Sequence, residues 1–338
     1  MIPNQWYVVL ESSEVKAGRP VGVTRMGEKL VFWRDSQGQV VCQRDLCAHR
    51  GVALSAGKVI GDHIQCPFHG LEYDATGRCS VIPANGRDAP VPAKFRVHTY
   101  PTYEDHGFIR IWWGEGEPEP AVPPFFDDLD DTFTYASVRD PWATHYSRVI
   151  ENQLDAAHLP FVHHNTIGRG NRTVVNGPLV KWIVPDLMFV YTWNAVDEGQ
   201  RPLKPEEMPD PPSPFHLEFL FPNLWENHIS PNVRVLAAFV PVDEENTLLY
   251  LRFYQNFLRV PILRNVFTRL AMPFNLRIAH QDRRVVQTQR PKRSFLRMGE
   301  KLFQADGPIL AYRRGREELI ARAAGNATES EQGEGKTG

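Results

Sequence analysis

The sequence predicts an α+β fold in two domains, a small antiparallel β-domain followed by a larger antiparallel sheet flanked by helices. Three observations carry that expectation. The N-terminal third consists of short runs of β-branched and aromatic residues separated by glycine-containing turns. Residues 114–124 are acidic and proline-rich, and proline removes backbone donors and stiffens the chain, so they read as a linker. Beyond them, strand-like runs are framed by stretches of helical periodicity. The expected boundaries are 1–120 for the first domain, 121–325 for the second and 326–338 for a disordered tail, polar and rich in Gly and Glu.

In the first domain, strands are expected over residues 6–10, 22–24, 29–33 and 40–43, with hairpin turns at Gly27 and 35–38. A tight turn at 73–77 and strands over 95–100 and 107–113 complete it. Between these lie two short loops, one carrying Cys47 and His49, the other Cys66 and His69, with sixteen residues between His49 and Cys66. Two thiolates and two imidazoles suit a Rieske-type [2Fe-2S] cluster, in which histidines replace cysteines on one iron. A structural zinc site accepts the same four residues. Zinc fingers, however, usually group Cys with Cys and His with His, whereas each loop here carries one of each.

Composition narrows the partners. The chain has 338 residues, 42% hydrophobic and 23% charged, the balance of a globular protein long enough for two domains. A formal charge of -2, from 38 basic and 40 acidic residues, gives no general pull toward nucleic acid or an anionic membrane. Four cysteines are few for disulfide stapling, and Cys42 and Cys79 read as small buried hydrophobes. The N-terminus lacks a basic region followed by an apolar run, and no apolar stretch approaches ~18 residues. A cytoplasmic location is expected.

In the second domain a helix over 147–158 brings Asn152, Asp155 and His158 along one face, and Pro160 is expected to kink it. On a straight helix His158 and His163 would point about 140° apart; the kink could swing them together onto one metal. A loop over 166–177 precedes strands at 179–184, 187–193, 215–221, 233–240 and 247–254, with a proline-rich loop or lid at 197–214. A helix over 261–289, broken near Pro273, and an amphipathic piece at 309–324 follow. Asp282 stands four residues after Ile278 and three and four before Val285 and Val286, in an apolar stripe where a carboxylate is costly unless paired or metal-bound. Pairing with Arg283 or Arg284 at a surface is the alternative.

These motifs resemble those of the Rieske non-haem iron oxygenase α-subunits. The Cys47-x-His49, sixteen-residue gap, Cys66-x-x-His69 pattern, with Pro67 and Gly70, is similar to the family's cluster signature. Asn152-x-x-Asp155-x-x-His158, four residues, then His163 is similar to its mononuclear-iron motif. The resemblance implies a Rieske domain and a helix-grip-like catalytic domain. It implies Fe(II) held by His158, His163 and Asp282 in a two-histidine, one-carboxylate arrangement with open positions for dioxygen. His164 is the neighbour that competes for the place of His163, and Asn152 would be an outer-sphere or weak ligand.

In the resembling family subunits pack head-to-tail in a ring, and an aspartate links one subunit's cluster to the next subunit's iron. Carried over, Asp155 would bridge His158 and His69 of the partner subunit in a homotrimer. Electrons would come from NAD(P)H through a reductase, with or without a ferredoxin. The substrates would be O2 and a small organic molecule to be hydroxylated, dihydroxylated or O/N-demethylated. Trp193, Phe215, Phe219, Phe221, Trp225, Phe239, Phe253, Tyr254 and Phe257 are expected mostly in the core, with some lining an apolar pocket for an aromatic or polycyclic substrate. No Arg stands out as a carboxylate clamp. Two other classes remain open on the residues alone: an electron-transfer protein using the cluster only, and a zinc-stabilised binding module.

Overall fold

The computed structural model describes residues 1–210, 212 and 216–334, with side chains through 325. The chain forms two compact units, one from Met1 and Pro3–Pro123, the other from Ile2 and Pro124 onward.

The first unit holds three antiparallel sheets. Gln5–Glu11, Phe108–Trp113 and Thr102–Asp105 make one, and Val21–Arg25, Glu28–Arg34, Val40–Arg44 and Thr99–Tyr100 another. The third is a small sheet of Lys58–Ile60, His63–Gln65, Glu72–Asp74 and Cys79–Val81. Glu28–Arg34 explains the unbroken apolar run in its middle. Leu30 and Phe32 pack into one buried cluster and Val31 and Trp33 into a second, so the strand is covered on both faces. The second cluster also contains Cys47, Cys66 and Cys79, and the first contains Cys42. The strand expected over 95–100 is reduced to Thr99–Tyr100.

The second unit is built on a seven-stranded antiparallel sheet. Thr134–Trp142 forms one edge. From the far edge Val174–Val184, Leu187–Ala195, Leu217–Leu220, Leu224–Ser230, Val233–Pro241 and Thr247–Gln255 follow in chain order, each pairing with the next, and the last closes on Thr134–Trp142. Thr134–Trp142 and Leu224–Ser230 are strands that the apolar pattern does not announce. Among the described residues four α-helices accompany the sheet: α1 (Tyr146–Leu154), α2 (Leu159–Val162), α3 (Pro261–Val286) and α4 (Gly307–Glu334).

Several expectations are corrected. The helix expected to reach His158 ends at Leu154, because Asp155 is extended (φ -94°, ψ 119°) and its carboxylate accepts from Ala157 N at 2.6 Å. Pro160 does not break this helix. It lies in the first turn of α2, where a missing N–H costs nothing. Pro273 does not break α3 either; it is exposed, as is Arg269 four residues before it, so water can serve the carbonyl that loses its donor. The α4 backbone stays helical to Glu334, into the stretch expected to be a disordered tail, where alanine and glutamate are good helix formers. Residues 335–338 of that tail, and Phe215, lie outside the described residues. Among the described residues no helix is long and apolar enough to cross a membrane.

Candidate metal centres

The two Cys/His loops are built alike. The Cys47 amide donates to the Val52 carbonyl (2.8 Å) and the Cys66 amide to the Leu71 carbonyl (2.8 Å), each five residues on. Each loop then closes on its cysteine carbonyl, through Gly51 N (2.9 Å) and Gly70 N (3.1 Å). Both glycines have left-handed φ, 74° and 73°, which a side chain would strain. The result is two buried sulfurs beneath two exposed imidazoles, the rings of His49 and His69 standing 4.7 Å apart edge to face. Burial pushes the Cys66 thiol up, while the backbone N–H groups of Phe68 and His69 pull it toward thiolate. The Tyr73 hydroxyl lies 3.2 Å from Cys47 Sγ. Sulfurs ringed by donors and paired with accessible imidazoles fit a cluster whose cysteine side is shielded and whose histidine side faces outward.

In the second unit His158, His163 and Asp282 converge. His158 Nε2 lies 3.3 Å and His163 Nε2 2.9 Å from the same oxygen, Asp282 Oδ1. His158 is the residue before α2 and His163 the residue after it, where the backbone leaves helical geometry (φ -107°, ψ 24°), so the separation expected on a straight helix does not apply. The His163 Nδ1 atom sits 2.9 Å from Gln281 Oε1. Its counterpart, His158 Nδ1, is 3.6 Å from Asp155 Oδ2, with no hydrogen-bond partner among the described residues. Both rings thus turn their Nδ1 toward an orienting oxygen and their Nε2 toward the carboxylate. Burial opposes charge on His158, but the carboxylates of Asp155 and Asp282 outweigh it and raise the imidazole to about 9. Burial alone would raise Asp282; its two histidine partners hold it below the usual carboxylate range. A pocket that gathers positive charge in this way fits a divalent cation. Ligands at 2.0–2.2 Å in a compact site are about 3.3 Å apart, close to the separations here.

The neighbouring candidates resolve differently. His164 is exposed and bonds the Phe161 carbonyl (3.1 Å). Asn152 donates to Asp282 Oδ1 at 3.4 Å, so it acts on the carboxylate. Arg283 pairs with Asp140, which leaves Asp282 to the histidines. Within the expected apolar stripe Val286 is buried but Val285 is not. Gln281 and Gly168 are residues that sequence reading gave no role. Gly168 packs so closely under α2 that a Cβ there would meet the Leu159 carbonyl oxygen at 1.7 Å. Gln281's place beside Asp282 was the one available signal for it.

The three side chains border one end of a cavity of about 580 Å³ between the sheet and α3. Val190, Leu217, Trp225, Leu251 and Phe253 wall it from the sheet, and Ile278 from α3. Among the described residues its lining includes no Arg or Lys. Of the expected aromatics, Phe219, Phe221, Phe239 and Tyr254 are core, Trp225 and Phe253 face the cavity, and Trp193 and Phe257 are exposed.

Two family profiles match the chain: the Rieske [2Fe-2S] domain over residues 5–101, and the vanillate O-demethylase oxygenase C-terminal domain over residues 142–322. Chlorophyllide a oxygenase, chloroplastic, of Chlamydomonas reinhardtii is 34% identical over 193 residues, 57% of this chain and 28% of that protein. The toluene-4-sulfonate monooxygenase system iron-sulfur subunit TsaM1 of Comamonas testosteroni is 33% identical over 174 residues, 49% of this chain and 48% of that protein. The chain therefore spans about half or less of the length of these two relatives. The structure of Pseudomonas putida CBB5 NdmA with caffeine aligns at a TM-score of 0.75 and 26% identity, covering 94% of this chain and 91% of that one.

Proposed function

This chain belongs to the Rieske oxygenase family, with a C-terminal domain of the vanillate O-demethylase oxygenase type, and from that premise we propose that it is a terminal oxygenase component acting on O2 and an apolar, aromatic or polycyclic molecule. The outcome would be hydroxylation or O/N-demethylation. The reading rests on one observation above the rest: two imidazoles and a carboxylate meet at the end of an apolar cavity. An electron carrier needs no such cavity, and a zinc-stabilised binding module needs no second donor set.

Cys47, His49, Cys66 and His69 would hold the cluster, and His158, His163 and Asp282 a mononuclear Fe(II). Together the two centres supply electron delivery and O2 activation when bound. The chain's own contribution is positional. Gln281 and Asp155 orient the two rings, Asn152 steadies the Asp282 carboxylate, and the apolar wall excludes water around a substrate. With no Arg or Lys in the lining among the described residues, the cavity favours a substrate lacking a carboxylate. Asp155, beside His158, would reach His69 of the partner subunit in a homotrimer. Reducing equivalents would come from NAD(P)H through a reductase, with a ferredoxin where one is needed.

The test combines a metal count with a substrate screen. Purified protein should be coloured and carry ~3 iron per chain, two in the cluster and one alone. Oxygen uptake with a matched reductase should respond to aryl ethers, N-methylated heterocycles or polycyclic compounds. A colourless zinc protein, or a coloured one with cluster iron alone, would refute the proposal.

A further inference from the structure

The second unit contains another convergence of imidazoles and carboxylates that the oxygenase reading does not use. Glu218 and Glu226 stand directly opposite each other on paired antiparallel strands. Like charges in that position repel, and here neither is diluted by solvent, since Glu218 is 6% and Glu226 0% exposed. His216 Nε2 and His228 Nε2 lie 2.9 Å and 2.8 Å from one oxygen, Glu218 Oε1. Their rings are stacked, centroids 4.1 Å apart, which holds the two nitrogens side by side. His228 Nε2 is also 3.5 Å from Glu226 Oε2 and 3.7 Å from Asp128 Oδ2.

Charge and hydrogen bonding both leave this group incomplete. Among the contacts of the described residues, Arg234 is a cation touching the group, 2.8 Å from Asp128 Oδ2 and 3.8 Å from Glu226 Oε1. Three carboxylates against one guanidinium leave the group net negative by two unless the imidazoles take up protons, as the carboxylates around His228 favour. Neither oxygen of the fully buried Glu226 has a hydrogen-bond partner among the described residues, although each points into the group. A buried carboxylate left without a partner is costly, so something is expected to meet it. The arrangement repeats that of His158, His163 and Asp282: two Nε2 atoms on one carboxylate oxygen at 2.8–3.3 Å.

We propose that His216, Glu218 and His228, with Glu226 or Asp128 as a fourth ligand, form a second cation site for a divalent first-row transition ion such as zinc. The donor atoms all lie within 4.8 Å of one another, so small side-chain shifts bring them to coordination distance. Mixed imidazole and carboxylate donors suit zinc and its neighbours better than calcium or magnesium, which prefer oxygen. A dication would cancel the two surplus charges and engage the Glu226 carboxylate. The role is structural: the ion would tie two adjacent strands, and the short segment bearing Asp128, at the edge of the cavity that His216 and His228 also line. This inference stands on its own residues and does not depend on the oxygenase reading.

The test uses full-length protein with its coloured cluster in place, in an Asp282→Ala background that removes the first mononuclear site. Equilibrium dialysis against micromolar zinc, with protein-bound zinc counted by mass spectrometry, should give one zinc per chain. Adding Glu218→Gln, which keeps shape but removes charge, should weaken zinc binding by about tenfold or more, as should His228→Gln. The visible spectrum of the cluster and the melting temperature report folding, and should the His228 variant fail to fold, the Glu218 variant decides. Absence of bound zinc in the Asp282→Ala protein, or equal affinity with and without Glu218→Gln, would overturn the proposal.

Discussion

Gln281 Oε1 lies 2.9 Å from His163 Nδ1, and the next residue on α3, Asp282, meets the other nitrogen of the same ring at 2.9 Å. Two consecutive residues of one helix thus hold an imidazole from both ends. The Gln281 amide is itself fixed, accepting from the Thr166 hydroxyl (2.8 Å) and donating to Asn165 Oδ1 (2.8 Å). An accepting amide oxygen requires the proton on Nδ1 and leaves the Nε2 lone pair for a metal.

Gln281→Leu should therefore weaken mononuclear iron binding by roughly 10–100-fold, the usual cost of losing an orienting partner. Gln281→Glu, which keeps an acceptor, should retain most of it. Competition with a chromophoric iron chelator measures both, with the cluster spectrum as internal control. Equal iron retention in wild type and the Leu variant would mean that packing alone sets the ring.

Asp282→Ala and Asp155→Asn separate holding iron from wiring it. The first removes the carboxylate shared by both histidines and should lower the iron content by one per chain while leaving the cluster spectrum intact. The second should keep all the iron, because an asparagine oxygen can still accept from Ala157 N and preserve the turn. Its turnover should nonetheless fall by at least about 100-fold, since the charge that would link His158 to His69 of the partner subunit is gone. Near-normal turnover in Asp155→Asn would end the bridging idea.

How much could be read in advance varied with how local the cause was. The two Cys/His loops were legible because each is closed by contacts within six residues, Cys47 to Val52 and Cys66 to Leu71. Asp282 was reachable through the family resemblance, with the apolar spacing of α3 as support, and that spacing holds only in part, since Val286 is buried and Val285 exposed. The end of α1 was not, because the apolar pattern carries on past Leu154 while the Asp155 side chain caps the following turn. Leu224–Ser230 was missed for a different reason. Its buried positions include Glu226 and His228, so the alternation that marks a half-buried strand is broken where the acidic cluster sits. Gln281's role depends on α3 meeting the segment after α2 across more than a hundred residues of chain, which no window of sequence contains.

Gly168 gives a backbone test of the same site. Its amide donates to the His163 carbonyl (3.0 Å), and the space where a Cβ would go is filled by the Leu159 carbonyl at 1.7 Å and His163 C at 3.1 Å. Both belong to the segment that aims His163, and backbone cannot swing aside as a side chain can. Gly168→Ala should displace α2 and reduce iron occupancy severalfold, while the cluster in the first unit keeps its absorbance. Full iron content in the Ala variant would show that the loop gives way instead.

His145 predicts a pH dependence of stability. It precedes α1, 1% exposed, with Nδ1 accepting from Ser147 N at 3.3 Å and lying 2.8 Å from Ser147 Oγ, a cap that needs an unprotonated ring nitrogen. Burial, then the positive charges of Arg293, Arg316 and Arg148, push the imidazole down to about 3. The exposed Glu244 carboxylate 3.8 Å away does not offset them. An unfolded chain takes up this proton near pH 6.5, the folded one does not until about 3. The contribution to stability is therefore complete above about 6.5 and drains away as the pH falls toward 3. Between pH 7 and 5 the wild-type melting temperature should drop more steeply than that of His145→Asn, which can still cap the helix but does not titrate. Thermal melts followed by circular dichroism across that range give the two slopes, and equal slopes would rule out His145 as the group responsible.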